Sequence, residues 1–323
     1  MNSRERVLVA LQGGQPDRVP FVDGMDRGMQ VRIMGREDFD QLDLVREMQF
    51  DALTLTLAPP FFVNRLLMPT GKDFIKEPLV KTRADLAGLQ FPVLDDHYLA
   101  EARQFIAKYR DTGYALGLVT RMGASGVLNS MGVDGFSYAL ADDPGVIEEL
   151  FDRYVAWVCE LLDKTSALGF DFVKFADDIA YKTGPLFSPQ VFREIFLPRM
   201  RQVASHVRQP WIYHSDGNLL PLFEDLLSLG MNAVNPIEPG AMDIDFIKEK
   251  YGRRICLHGN IDLHYTLTRG TPAEVEAEVR QRIERIGRGG GYILASANSI
   301  TDYCKVENVL AMRDAFVKYR DYR

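Results

Sequence analysis

Between Trp211 and Asp262 three apolar runs, Trp211-Ile212-Tyr213, Ala233-Val234-Asn235 and Ile255-Cys256-Leu257, each break into polar residues and then into a segment of helical spacing. Runs this short are not helices. Their continuous apolar character marks strands buried on both faces, as in a parallel sheet built from βα units. The polar residues that follow are His214 and Asp216, then Glu238, then His258, Asn260 and Asp262. Successive parallel strands ending in such residues predict one shared mouth, the arrangement of a (β/α)₈ barrel.

The same alternation runs through the whole chain. Ser3 is placed to cap a helix through Leu11 that Gly13 and Gly14 stop. Val19 to Asp23 reads as the first strand, Asp51 to Leu57 as the second, Ala115 to Thr120 as the third and Phe172 to Phe175 as the fourth. The runs above supply the fifth to seventh, and Tyr292 to Ala295, released by Gly289-Gly290-Gly291, the eighth. Helical spacing predicts outer helices over 98–109, 144–168, 188–207, 272–286 and 306–319. Residues 58–97 have no clean period and read as an excursion, a small hairpin or lid over the mouth. The stretch MGASGVLNSMG, beginning at Met122, reads as a Gly-rich loop. Such a loop either approaches a ligand closely, which makes Met122 a cofactor-binding candidate, or merely connects. The elements together predict an α/β protein, a single (β/α)₈ TIM barrel over residues 1–323. No GxGxxG follows a strand and no P-loop pattern occurs, which argues against a dinucleotide-binding doubly wound sheet.

Composition narrows the partners. A chain of 323 residues with 46% hydrophobic content can bury one large core. A net charge of −7 and a pI near 5.4 leave no basic footprint for nucleic acid. Cys159, Cys256 and Cys304 are widely spaced and odd in number, which describes no disulfide framework and suits a reducing cytoplasm. The N-terminus shows no signal-peptide pattern and no apolar run reaches bilayer length, so a soluble cytoplasmic protein without membrane association is expected.

At the mouth, His214 and Asp216 lie two residues apart on extended chain, so both side chains can face one side. That suits two metal ligands, or a histidine and its orienting carboxylate, although His214 can also serve only the next loop. Asp177-Asp178, after the fourth strand, can supply a ligand or general acid, or cap a helix. Glu238 is held between Pro236-Ile237 and Pro239, and His258, Asn260 and Asp262 leave the seventh strand. Cys304, in the loop after the eighth strand, can bind zinc as a thiolate or be a small buried residue.

Several segments together resemble the uroporphyrinogen decarboxylase superfamily. They are RERVLVALQGGQPDRVP, the His214-Ser215-Asp216-Gly217-Asn218 segment, NPIEP with Met242-Asp243 and Lys248, GRRICLHGNID, GGGYILASANSI and VEN. The resemblance spans nearly the whole chain. It implies the barrel fold and two activities: decarboxylation of uroporphyrinogen in porphyrin biosynthesis, and methyl transfer to a corrinoid from methanol, methylamines, coenzyme M or methoxylated aromatics. The decarboxylases carry an arginine-rich segment after the first strand and a catalytic aspartate after the second, where this chain reads DGMDRGMQVR and TLAPPFF. The zinc methyltransferases carry His-x-Cys after the fifth strand and a further cysteine after the eighth. Here those places hold His214-x-Asp216 and, near the second, Asn298. A carboxylate and an imidazole leave zinc a harder Lewis acid than thiolates do, which suits an oxygen-bound methyl group.

The resemblance therefore implies methyl transfer from a small methoxylated or methylated donor to a corrinoid (cobalamin) protein. Its site would have Asp216, Glu238, Asp177 and His258 as catalytic candidates, His214, Asp216, Glu238 and Cys304 as zinc ligands, and Met122 and Asn298 against the cofactor. A homodimer is the candidate assembly. The alternatives are a uroporphyrinogen decarboxylase with a rebuilt pocket, in which Arg27, Arg32 and Arg121 would be the first substrate-binding suspects, and a barrel that binds a tetrapyrrole or small ligand without turning it over.

Overall fold

Seven strands lie side by side in chain order: β1 Ala52–Thr56, β2 Ala115–Thr120, β3 Phe172–Ala176, β4 Trp211–His214, β5 Ala233–Asn235, β6 Cys256–His258 and β7 Tyr292–Ile293. Every pairing between them is parallel. The structure is a computed structural model that describes residues 1–67 and 73–322.

The segment expected as the first strand, Val19 to Asp23, is reduced to a single parallel bridge between Phe21 and Leu294. Pro20 has no N–H to give a ladder, and the Phe21 N–H donates to the Asp51 carboxylate at 2.9 Å instead. The segment still lies between the two outermost strands. Leu294 N–H donates to the Pro20 carbonyl at 2.9 Å on one side, and Asp51 N–H to the Phe21 carbonyl at 2.7 Å on the other. It thus closes the curled sheet as an eighth stave of the barrel.

The base of the barrel is stoppered by the helix Ser3–Leu11. Its Val7, Ala10 and Leu11 pack against Val22, Ala52, Ala115, Phe172, Ile212, Ala233, Cys256 and Ile293, one residue from each stave. The Phe172 ring fits there because β2 offers Gly117 opposite it, where a Cβ would stand 2.3 Å from the ring. The cap of this helix is Asn2 rather than Ser3. Asn2 Oδ1 accepts the Glu5 N–H at 2.8 Å and Glu5 Oε2 accepts the Asn2 N–H at 3.0 Å, a reciprocal capping box.

The main departure from the sequence reading is the stretch after Met122, which is helical and not a loop: Ala124–Asp142 forms two helical segments that meet at a kink at Gly132, whose φ is 69°. Its glycines lower its intrinsic helix propensity, but a carboxylate from another strand anchors it: Asp177 accepts the N–H groups of Met122, Gly123 and Ser125 at 2.6, 2.9 and 2.6 Å. Gly126 then lets it press against the neighbouring helix Pro144–Thr165, where a Cβ would stand 2.7 Å from the Tyr154 ring. Within residues 58–97, Val63–Leu67 and Asp73–Pro78 pair antiparallel. Among the described residues no helix is long and apolar enough to cross a membrane.

Candidate active site at the barrel mouth

Strand alternation sets the site. The residues two positions beyond the base plug on β3, β4, β5 and β6 are Lys174, His214, Asn235 and His258, so they too face the lumen. The inward file changes from apolar to polar within one step, and the step beyond reaches Asp216 in the loop after β4.

Asn235 fixes the state of His214. Its Nδ2 donates to the His258 carbonyl at 2.8 Å, so its Oδ1 is an acceptor, and His214 Nδ1 lies 2.6 Å from it and must carry the proton. His214 Nε2 is then a lone pair. It faces Asp178 Oδ1 at 3.8 Å and Asp216 Oδ1 at 3.9 Å, both acceptors as well. Among the described residues Asp216 Oδ1 is buried without a hydrogen-bond partner, while its Oδ2 accepts from Asn298 Nδ2 at 2.5 Å. The Asp216 N–H donates to Asp178 Oδ1 at 2.9 Å, tying the two acidic loops together. Burial, then the charges of Asp178 and Glu238, push the Asp216 carboxyl up to about 7. Burial, then Lys174, lowers the His214 imidazole to about 4, so it is neutral at physiological pH. Three acceptor atoms converging on one place are complementary to a cation, and Asp178, His214 and Asp216 together can hold a metal ion.

The other expected residues divide. Glu238 stands at the rim, accepting the Gly217 N–H at 2.8 Å with Lys182 Nζ 3.9 Å from its other oxygen, so it flanks the cation set without joining it. It follows Ile237, whose φ of 60° lies in the left-handed region that a β-branched residue avoids, and the Ile237 carbonyl is held by Asn260 Nδ2 at 2.7 Å. Asp177 is committed to the three N–H groups above, and its neighbour Asp178 is the one that faces the mouth. Met122 is fully buried in the core. Cys304 is buried beside Thr301, whose Oγ1 is 3.7 Å from its Sγ, and does not belong to the group formed by Asp178, His214 and Asp216. His258 is buried with its Nε2 2.7 Å from the Val22 carbonyl, so its Nδ1 is a second buried lone pair without a partner. Asp262 caps the turn that follows it through the N–H groups of His264 and Tyr265 at 2.8 and 2.9 Å.

Two residues escaped the sequence reading. Lys174 lies in the middle of β3, and Asp23 accepts the Ser296 N–H at 2.7 Å and its Oγ at 3.0 Å at the barrel seam. Burial pushes the Asp23 carboxyl up to about 7. A lysine in the run Phe-Val-Lys-Phe was the available signal, because a parallel strand covered on both faces does not place a charge inward without reason. Beside Asp216 a cavity of about 620 Å³ opens outward, lined by Lys182, Glu238, Asp262, His264, Arg269 and Asn298 among others.

A closed parallel sheet with its polar groups gathered at the strand C-termini defines the class, an α/β barrel of the enzyme type. The comparisons give the family. The model of "Uroporphyrinogen decarboxylase (URO-D)" matches residues 68–319, and the chain belongs to that family. Uroporphyrinogen decarboxylases of Methylococcus capsulatus and Actinobacillus succinogenes are 26% and 25% identical over 183 and 181 residues, which cover 54% and 55% of this chain. These matches span about half, 49%, of the length of each relative. A solved structure titled "methyltransferase from Methanosarcina mazei" superposes with a TM-score of 0.79 at 19% identity, covering 99% of both chains. That likeness establishes the fold over the whole chain.

Proposed function

We propose that the chain is a methyltransferase of this family that moves a methyl group from a small methoxylated or methylated donor to a corrinoid carried by a partner protein. The observation that supports this most is the acceptor-only set of His214 Nε2, Asp216 Oδ1 and Asp178 Oδ1 beside an open cavity. These three residues would hold a divalent ion, zinc by the nature of its nitrogen and oxygen donors, which when bound supplies Lewis-acid polarisation of the donor oxygen. Asn235 keeps the imidazole in the ligating tautomer, and Asn298 orients Asp216 through its other oxygen. The cavity is of the size that takes one small donor and leaves its outer side open to a docking protein.

The names of the curated relatives favour a second reading, decarboxylation of uroporphyrinogen. A substrate with many carboxylates calls for converging cations. The cavity instead lines Lys182 and Arg269 against Asp216, Glu238 and Asp262. Arg32 donates to the Asp302 carbonyl at 2.5 Å, Arg27 stacks on Phe39 at 4.1 Å, and Arg121 stacks on Phe61 at 4.3 Å. The arginines suspected from the sequence are thus each engaged locally.

The test is methyl transfer from a methoxylated aromatic compound to free cob(I)alamin by zinc-replete protein. Asp216→Asn is expected to lower the rate roughly a hundredfold or more, the scale of one lost electrostatic contact at a reacting centre. Absence of methylcobalamin across a broad panel of O-methyl and N-methyl donors would remove this reading. Conversion of uroporphyrinogen to coproporphyrinogen would put the second reading first.

A further inference from the structure

Lys174 stands at the centre of the lumen, and methyl transfer as proposed above gives it no task. It faces inward from the middle of β3, in register with Val119 of β2 and Ile212 of β4. Among the described residues its Nζ has no hydrogen-bond partner and no ion pair, yet its charge is felt by groups on every side. Asp23 reaches it from the seam and Asp178 and Asp216 from the mouth, and it acts in turn on the two histidines, His214 and His258. The residue keeps some accessible surface, and Asp216, one of the carboxylates whose charge it feels, lines the open cavity. Nearby, His258 Nδ1 is an acceptor without a donor. An unpaired ammonium in a low-dielectric lumen is unfavourable unless something else completes it, and the three carboxylates stand off at a distance rather than closing on it.

We propose that Lys174 is a catalytic residue that holds and protonates the oxygen left behind when the donor loses its methyl group. The inference rests on the methyl-transfer reading for the identity of that oxygen. In the step, the C–O bond breaks with its electron pair staying on oxygen. The acceptor, a reduced corrinoid, supplies the pair for the new bond to carbon, and the Lys174 ammonium passes a proton to the oxygen to release a neutral phenol or alcohol. Lys174 is then reprotonated from solvent. Burial acts in favour of this role by pulling the ammonium below its ordinary value against the three carboxylates, which makes it a better acid near neutral pH.

A readout that needs no turnover is the titration of bound 4-nitrophenol, whose ionised form absorbs in the visible. The wild-type protein should bind it as the phenolate and titrate it about one to three pH units lower than Lys174→Met does, the usual effect of an adjacent cation. Lys174→Arg, which keeps the charge, should recover most of that shift, and thermal unfolding of each variant checks that it is folded. Identical titrations in wild type and Lys174→Met, or no binding of 4-nitrophenol by wild type, would overturn the proposal. In turnover, Lys174→Met should lower kcat about a hundredfold to ten-thousandfold for donors that release strongly basic phenolates, and far less for nitro-substituted donors whose leaving group needs no proton. An equal loss for both donor types would overturn the proton-donor role. A normal nitrophenol shift with no methyl transfer from any donor would instead locate the error in the proposed function and leave the lumen assigned as an oxyanion site.

Discussion

The barrel carries one cluster of charge at its base and another at its mouth, and the two follow opposite rules. At the base, the fully buried Asp51 receives Arg6 Nη1 at 3.0 Å, both terminal nitrogens of Arg18 at 2.8 and 2.9 Å, and the Phe21 N–H at 2.9 Å. Arg6 also pairs through Nε with Asp17 at 2.7 Å. Both Asp51 oxygens are satisfied, and the cluster ties the first helix, the seam segment and β1 together. At the mouth, Asp216 Oδ1 and His258 Nδ1 are buried without partners among the described residues, and His214 Nε2 faces two carboxylates. A buried polar atom left unpaired costs roughly 1–3 kcal/mol. The base spends its charges on closing the fold, while the mouth carries a deficit that a ligand would relieve.

The largest expected effect tests the base. Asp51→Ala would take from Arg6, Arg18 and the Phe21 N–H the buried acceptor they share, and breaking a buried pair from one side costs about 3–5 kcal/mol. Urea denaturation should show a midpoint lowered accordingly. Asp216→Asn, at the mouth, should leave the midpoint unchanged or raise it, because it removes a charge that burial and the neighbouring Asp178 and Glu238 disfavour. A similar loss from both variants would erase the distinction between the two clusters.

A smaller effect sharpens the account of the mouth. Asn235 touches no proposed ligand atom and only fixes the His214 tautomer and ring, so Asn235→Ala should weaken zinc binding about 10–100-fold, as loss of such outer partners commonly does. Competition with a chromogenic chelator measures it. His214→Ala should abolish the site altogether. Equal zinc affinity in wild type and Asn235→Ala would mean that the tautomer argument is wrong.

These contrasts also show what could be read from the chain alone. The staves and outer helices were legible because parallel strands covered on both faces leave unbroken apolar runs, and Val306–Tyr319 and Ala233–Asn235 fall where the sequence placed them. The helical stretch Ala124–Asp142 was not, since its start is held by Asp177, a carboxylate 52 to 55 positions from the N–H groups it accepts, and its side by packing on Tyr154. No local propensity records such contacts. At the mouth, His214, Asp216, Glu238 and Asn298 were legible as polar residues at or beyond strand ends. The division of labour within Asp177-Asp178 was not, because neighbouring residues share a spacing but point to opposite sides. Lys174 and Asp23 were missed for a related reason: each acquires its meaning from groups on other staves.

The smallest expected effect separates the two clusters by pH. Asp23 has a folded value of about 7 against an ordinary value of 3.8, with burial the main cause, so between those values the folded protein holds a proton that the unfolded chain has lost. Its contribution to stability therefore falls as pH rises from about 4 to about 7 and is level above that. Asp216 acts in the same direction, whereas His214 and His258, lowered to about 4 and about 3, contribute stability that is lost as pH falls below the ordinary imidazole value of 6.5. These opposing terms overlap in wild type, so the informative quantity is the difference between Asp23→Asn and wild type across pH. That difference should move in favour of the variant by about 1–2 kcal/mol between pH 4.5 and pH 8, less than the full value of the shift because Asp23 keeps some contact with solvent. The base responds in another window, since Arg6 holds Asp17 well below the usual carboxylate range and its contribution is lost only in stronger acid. Urea midpoints that run parallel for wild type and Asp23→Asn over that range would show that the Asp23 carboxyl is not strained by burial, and that the mouth is as well compensated as the base.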